Sequence, residues 1–484
     1  MQQTVETPSE QRRGLVEVRS IDYVPLKERH GRVWHQGPFW FMGNFVLVTM
    51  VTGFIGPELG LSLVWSLVAI AIGCGFGTFF MAFHAVQGPR LGLPQMIQSR
   101  AQFGYRGAIF PLAVVVFVYV GFNVFDTILA ADGFDLAISA SKWVWYPIIT
   151  IVAVVIAVVG YDLLHFVQRW LSYLSMIVFG ILTIGALATL DLGHAASQGS
   201  FGMTAFLLQL GVAASYQISY APYVSDYSRY LPEATPAAPI IWWVYAGAAL
   251  SALWLMALGT LLASSLAGPD AIASIQQVGN GIFSGFGTFA VLVAAPALVT
   301  VMAVNCYGAM LTGATIIDAF RKVSPTLVVR VIGVAMIGAI GFLVALTIPA
   351  NYLNSFNNFL LLMLYFLIPW TAVNLVDFYF VRHGRYAISE FARRGGLYGN
   401  WSWRGLVAYF AGFLAMVPFF STTIFTGPIA SALGGADISF LVGLSVAAGL
   451  YYLLALRLDL DRERAMAAES RRLLEGDAPE ARPI

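Results

Sequence analysis

Apolar runs of roughly 20 residues recur along most of this chain, each long enough to cross a hydrocarbon core about 30 Å thick as a helix. A backbone inside lipid must satisfy its own N–H and C=O groups, so the runs read as helices rather than a barrel. Composition agrees: 59% of the 484 residues are hydrophobic, 11% are charged, and the mean hydropathy is +0.77. A soluble domain carries about a quarter charged residues. The expected fold class is therefore an all-α integral membrane protein.

Gly, Pro and charge punctuation divide the chain into about twelve spans, at 37–57, 61–86, 107–131, 143–160, 166–190, 201–224, 239–266, 283–314, 327–349, 352–378, 404–425 and 436–457. The basic residues of alternate connections, among them Arg90, Arg100, Arg169, Arg229, Arg321, Arg330, Arg382 and Arg394, then fall on one side with both termini. Only Lys142 falls on the other. This asymmetry predicts a multi-pass protein of the cytoplasmic (inner) membrane with both termini cytoplasmic. Residues 1–36 are polar, lack the apolar core of a cleavable signal, and read as a cytoplasmic N-terminal segment. The transmembrane domain covers 37–457, and the 458–484 tail, mixed in charge and Pro-rich at its end, reads as solvated, frayed and without chemistry.

Several function classes have little support. The net charge is +1 and the basic residues lie in loops and tails, so nucleic acid is not an expected partner. None of Lys27, Lys142 and Lys322 follows a glycine, which removes the phosphate-binding loop of an ATP-driven pump. His30, His35, His84, His165, His194 and His383 are scattered without HExxH spacing and read as loop and interface histidines. Cys74 and Cys306 sit inside apolar spans as small hydrophobes rather than metal or disulfide ligands. "GCGFG" at 73–77 reads as a surface for close helix packing, in the small-xxx-small manner. Neither an enzyme nor a cofactor is expected.

Polar residues inside the spans carry more information, because bare amides and carboxylates in hydrocarbon are costly and face a cavity or the bundle interior. Four groups stand out. Gly43-Asn44 interrupts span one, with Thr49 and Thr52 beyond it. Tyr119, Asn123 and Asp126 share one face of span three at i, i+4 and i+7. Span six holds Gly211, Ser215-Tyr216-Gln217, Ser219 and Pro222, which weaken continuous helix at mid-membrane, and span eight holds Thr300 and Asn305. Transporters interrupt helices in this way, because unwound carbonyls coordinate a cation and half-helix N-termini hold a polar substrate. Spans one and six take corresponding positions if spans one to five (about 37–190) repeat, inverted, as spans six to ten (201–378), leaving 404–457 as accessory helices.

The stretches "RSIDYVPLKERHGRVWHQGPFWFMGNF", "SYAPYVSDYSRYLP" and "VNCYGAML" resemble the purine/cytosine permease branch of the nucleobase:cation symporter family. The resemblance runs from about residue 15 to 400 and implies a five-plus-five inverted-repeat, LeuT-like core, two C-terminal helices and alternating access. It places Gly43-Asn44 at the break of helix one, the ring-stacking aromatics at Tyr119 and Tyr216, and the edge-reading amides at Asn123 and Asn305. Gln217 competes with Tyr216 for the helix-six contact, and Asp226 falls where a carboxylate closes the inner gate. It places the sodium site of sodium-coupled relatives among Met42, Phe45, Val299 and Thr300; only Thr300 brings a side-chain oxygen, so proton coupling, with Asp126 as carrier, is placed ahead.

The physical chemistry is compatible with that substrate. An amide matches a base edge bidentately, and aromatic stacking on a base is worth about 1–3 kcal/mol. The expectation is a secondary transporter importing a nucleobase or similar N-heterocycle by proton or sodium symport. The alternatives are a symporter of the same fold for an amino acid or vitamin, and a non-transporting receptor.

Overall fold

A computed structural model describes residues 22–159, 161–266, 270–323 and 326–475. The described chain is helical, with two isolated bridges and no strand. Its principal helices are α1 (Gln36–Asn44), α2 (Leu47–Thr52), α3 (Leu63–Ala85), α4 (Ile109–Asp135), α5 (Lys142–Val159), α6 (Tyr161–Thr189), α7 (Met203–Ile218) and α8 (Ala237–Ser265). They continue with α9 (Ala271–Ile282), α10 (Phe286–Asp318), α11 (Leu327–Thr347), α12 (Leu353–Val376), α13 (Trp403–Met416), α14 (Ser439–Ala455) and α15 (Leu460–Glu475).

Among the described residues, eight helices are long and apolar enough to cross a membrane, or up to ten if each of two bent pairs counts as one span. Twelve were expected. The difference has a physical reason: span one is split into α1 and α2, α14 turns by 90° into α15, and α7 and α13 have only 16 and 14 residues. Interruptions shorten a helix below the roughly 20 residues a bilayer needs.

Helix partners occur in matched pairs. α1 packs on α8 as α7 packs on α3; α5 packs on α10 as α11 packs on α4; α6 packs on α10 as α12 packs on α4. α4 packs directly on α10, and α5 on α11. Each of these contacts survives exchange of the set α1/α2 to α6 for the set α7, α8, α10, α11 and α12, the signature of a repeated unit. An odd number of crossings per unit sets the second unit upside down with respect to the first.

Close approaches rest on glycine. A Cβ on Gly73 would lie 2.3 Å from the Leu210 carbonyl oxygen, and one on Gly77 would lie 2.2 Å from that of Ala214. The expected packing role of the 73–77 stretch is thus seen between α3 and α7.

The two ends of the described chain gather on one face. The Tyr23 hydroxyl donates to Glu475 at 2.6 Å, and Arg382 reaches Glu463 at 2.6 Å. Arg382 also pairs with Asp377, which accepts from Tyr451 (2.7 Å), Tyr386 (2.8 Å) and Gln102 (2.6 Å). The tail expected to fray is therefore a docked helix through Glu475; residues 476–484 lie outside the described residues. Glu463 and Ser470 are its buried contacts, and an alternating-sign sequence hid them.

Candidate functional site: a broken helix and the polar core beside it

The interruption in span one lies beyond the expected place. α1 remains helical through Gly43 and Asn44, and the chain leaves the helix at Phe45 (φ −88°, ψ 68°) and Val46 (φ −134°, ψ 158°). Phe and Val suit extended backbone. The flanking segments Val33–Asn44 and Leu47–Glu58 meet at 71°. Gly43 is not an unwound residue; nothing lies within 4 Å of where its Cβ would sit, so it borders open space.

Asn44 holds the broken ends in place instead of facing an opening. Fully buried, it donates through Nδ2 to Gln217 Oε1 (3.2 Å) and the Ala248 carbonyl (2.8 Å), and its Oδ1 accepts from the Tyr220 hydroxyl (3.2 Å). Its backbone carbonyl accepts from Thr49 Oγ1 at 2.6 Å. Thr49 has one hydroxyl proton, so in its 2.7 Å contact with Tyr216 the phenol must donate. Gln217 Nε2 donates to Ala248 at 3.0 Å, and Gln209 supports the far end of α2 through the Gly56 N–H (2.5 Å) and the Thr52 carbonyl (3.2 Å). Helices α1, α2, α7 and α8 thus share one satisfied polar cluster.

α7 differs from expectation in the same way. Gly211 and the 215–217 cluster lie inside continuous helix, which ends at Ile218; Ser219 and Tyr220 lead into a 3₁₀ turn over Ala221–Tyr223. The break falls after the polar cluster because Ser219 Oγ returns to the Tyr216 carbonyl (2.6 Å) and Pro222 follows. α10 is not interrupted at Thr300 or Asn305; it runs 33 residues with Pro296 inside.

The facing side of α4 and α10 is polar but unsatisfied. Asn123 donates from Nδ2 to Cys306 Sγ (3.1 Å), while its Oδ1 has no partner. Neither oxygen of Asp126, fully buried, has a partner. Asn305, beside Cys306, is 9% exposed, and its side chain makes no hydrogen bond among the described residues. An unpaired buried amide or carboxyl costs on the order of 1–3 kcal/mol, so three of them close together form a place where an incoming polar group gains most.

The two tyrosines expected to sandwich a ring do not face one another here. Tyr119 stacks on Tyr223 (centroids 5.4 Å, 20°), and a Cβ on Gly308 would lie 2.8 Å from its ring. Tyr216 meets Phe122 edge-on (5.6 Å, 85°). Ring contacts run from Tyr119 through Tyr223 and Tyr220 to Tyr216, so the four phenols form one chain. Asp226 accepts from the Gln95 N–H (2.8 Å) and borders a cavity of about 60 Å³ with Tyr119, Tyr223 and Thr312. That space is far below the roughly 300 Å³ of an ordinary ligand pocket. Beyond α2, a cavity of about 390 Å³ is lined by Val51, Phe54, Asp270, Asn351 and Tyr352.

The expected cation residues show no assembled ligand shell. The Met42 carbonyl accepts from the Phe45 N–H (3.1 Å), and Thr300 Oγ1 donates to the Ala297 carbonyl (2.7 Å). Val299 is buried. No group of three or more His, Cys, Asp or Glu that could hold a metal occurs among the described residues.

Sequence reasoning passed over Tyr220, Tyr223 and Cys306 as site neighbours; the 216, 220, 223 spacing of tyrosines was the available signal. It also misread His84, which is buried, stacks on Trp370 (4.6 Å, 6°) and contacts Thr371 at 2.8 Å. The side chain of His165 lies outside the described residues.

A family model described as permease for cytosine/purines, uracil, thiamine, allantoin matches residues 23–443. The chain belongs to this permease family. The Bacillus subtilis (strain 168) protein YxlA, provisionally named a purine-cytosine permease, is 41% identical over 448 residues, 91% of this chain and 96% of its own. Among solved structures, the inward-facing conformation of Mhp1 matches with a TM-score of 0.75 at 18% identity, covering 98% of this chain and 100% of its own. Mhp1, a nucleobase-cation-symport-1 family transporter, in a closed conformation with bromovinylhydantoin bound, matches at 0.74 and 18% identity, covering 96% and 100%. Those likenesses establish the LeuT-like fold of this cytosine-purine permease. It is a multi-pass membrane transporter, and its relatives are permeases rather than enzymes.

Proposed function

We propose that this permease imports a nucleobase of the purine or cytosine type, or a similar N-heterocycle, by alternating access between α1/α2, α4, α7 and α10. The observation that supports this most is the unpartnered Asn123 Oδ1 and the Asn305 side chain, which makes no hydrogen bond among the described residues, on adjoining helices beside an aromatic chain. An amide offers one donor and one acceptor, the complement of a base edge, and a neutral ring needs no fixed charge beside it. Tyr119 supplies a stacking face once it parts from Tyr223, and Tyr216 and Gln217 shape the helix-seven wall. Gly43 borders the space, and Asn44 fixes the hinge that opens it. Asp226 acts in the gate on the side of the chain ends.

Coupling to a proton is assigned to Asp126, whose two unpartnered oxygens are poised to exchange one. Met42, Phe45, Val299 and Thr300 remain the sodium alternative, which would need α1 and α10 to draw together. No cofactor is required. The protein works in the cytoplasmic membrane with residues 1–36 and 458–484 cytoplasmic, inverted repeats at about 37–190 and 201–378, and accessory helices over 404–457.

The test is uptake of radiolabelled cytosine in cells lacking nucleobase carriers, competed by purines, pyrimidines, hydantoin, allantoin, pyridoxine and amino acids, with and without sodium and a protonophore. Competition by nucleobases and collapse with the protonophore are expected. Competition only by pyridoxine or by amino acids would replace the substrate, binding without accumulation would make the protein a receptor, and strict sodium dependence would replace the ion.

A further inference from the structure

The face that gathers both chain ends carries a second cavity, of about 750 Å³, away from the transport core. Arg29, Arg90, Arg385, Arg464 and Arg471 line it together with His383, against one carboxylate, Glu233. Glu233 is already paired with Arg471, and Arg464 pairs with Asp461 at 3.0 Å. Arg90 and Arg385 have no ion pair among the described residues. Arg29 is 5% exposed, and its Nη2 has no hydrogen-bond partner although Nε and Nη1 bond the Val24 (2.8 Å) and Pro89 (2.7 Å) carbonyls. Burial outweighs the pull of Tyr23, Glu233 and Glu475 and lowers the tendency of this guanidinium to hold its proton. Five arginines drawn from the N-terminal segment, the short helix Gln87–Leu91 that follows α3, the loop after α12, and α15 therefore converge on a space with too little negative charge.

An exposed, apolar groove begins where this cavity ends. Ala237, at the start of α8, lines the cavity, and its neighbour Ala238 lines the groove with Pro239, Ile241, Trp242, Trp243 and Tyr245. Trp242 is 64% exposed. Indole rings settle at the level of lipid headgroups, and clusters of arginine at that depth attract anionic lipid. We propose that this is a binding site for one anionic phospholipid, its phosphate among Arg29, Arg90 and Arg385 and an acyl chain along Ala238 to Tyr245. Charge complementarity selects the headgroup, and the adjoining aromatic groove selects a lipid over a soluble phosphate ester. Because the site joins the N-terminal segment to α15, an occupied site ties the two ends of the chain together. It stands independently of the substrate proposed above.

The test is native mass spectrometry of the full-length protein in detergent, titrated with dioleoyl phosphatidylglycerol or dioleoyl phosphatidylcholine. One phosphatidylglycerol is expected to bind with clear preference. The Arg90→Gln/Arg385→Gln variant, which removes no internal pair, is expected to bind it on the order of tenfold more weakly. Arg393→Gln/Arg457→Gln removes the same charge outside the cavity and is expected to bind as the unaltered protein does. Trp242→Ala is expected to weaken binding severalfold without touching the arginines. Equal binding of the two lipids, equal losses in the two double variants, or displacement by glycerol phosphate at the lipid's own concentration would each overturn the site.

Discussion

Two polar regions lie side by side in the middle of this bundle, and they differ in how far they satisfy themselves. Around the break between α1 and α2, Asn44, Thr49, Tyr216, Gln217 and Tyr220 use one another and the Ala248 carbonyl. Across α4 and α10, Asn123 Oδ1 and both Asp126 oxygens have no partner, and Asn305 has none among the described residues. A satisfied network fixes geometry; an unsatisfied set invites a ligand or a proton. On the function proposed above, the first region is the hinge and the second the receiving surface. Substitutions should separate along that line, those in the hinge harming the fold and those opposite harming transport.

The largest expected effect is at Asp126. Asp126→Asn keeps the shape and removes the exchangeable acid proton, so uptake against a gradient should disappear while equilibrium exchange of labelled for unlabelled substrate in vesicles continues. Accumulation retained by this variant, with its protonophore sensitivity intact, would place the proton elsewhere. Next come Asn305→Ala and Asn123→Ala. A lost bidentate edge contact costs about 1–3 kcal/mol, so uptake at low substrate should fall roughly 10- to 100-fold. Asn305→Ala should leave thermal stability unchanged, because its amide has no protein partner to lose. If it melts as an unstable protein instead, Asn305 belongs to the fold and the contrast between the regions fails.

Asn44→Leu sharpens the contrast from the other side. It strips partners from Gln217, Tyr220 and the Ala248 carbonyl and leaves them buried, at about 1–3 kcal/mol. The expected reading is a lowered melting temperature and less protein at the membrane, with uptake falling alongside. A variant of normal stability that fails to transport would mean that Asn44 faces the substrate after all.

What was legible in the sequence follows the range of the signal. Apolar length is written locally, so the helical class and most span positions were readable from 20-residue windows. The two breaks were placed near, but not at, their true positions, because the residues that end α1 and α7 are apolar Phe45-Val46 and the ordinary-looking Ser219-Tyr220. Polar residues attract notice in an apolar run, yet here they brace the ends of helices rather than unwind them. The roles expected of single residues depend on partners far along the chain. His84 meets Thr371 and Gln87 meets Asn374 at 2.7 Å, each across 287 positions, and no local pattern announces such a pair. The docked tail was missed for the same reason, since Glu463 and Glu475 look solvated until Arg382 and Tyr23 are placed beside them.

Tyr216 is the smallest and most discriminating case, since it was expected to stack on substrate and is found bonded to the hinge. Tyr216→Phe removes only the hydroxyl that donates to Thr49; the ring keeps its edge contact with Phe122, and Thr49 keeps the Asn44 carbonyl. One hydrogen bond of this kind contributes roughly 0.5–1.5 kcal/mol, so a slight loss of stability and uptake within about threefold of normal are expected. Stacking does not need the hydroxyl, so the same result is compatible with the ring also touching substrate, and Tyr216→Leu then separates the two roles. Leucine deletes the aromatic face as well. If Tyr216→Leu lowers stability and uptake together, Tyr216 acts through the hinge. If it leaves stability near that of Tyr216→Phe but raises the substrate concentration needed for half-maximal uptake tenfold or more, the ring is a stacking surface, and the boundary between hinge and receiving surface runs through this side chain.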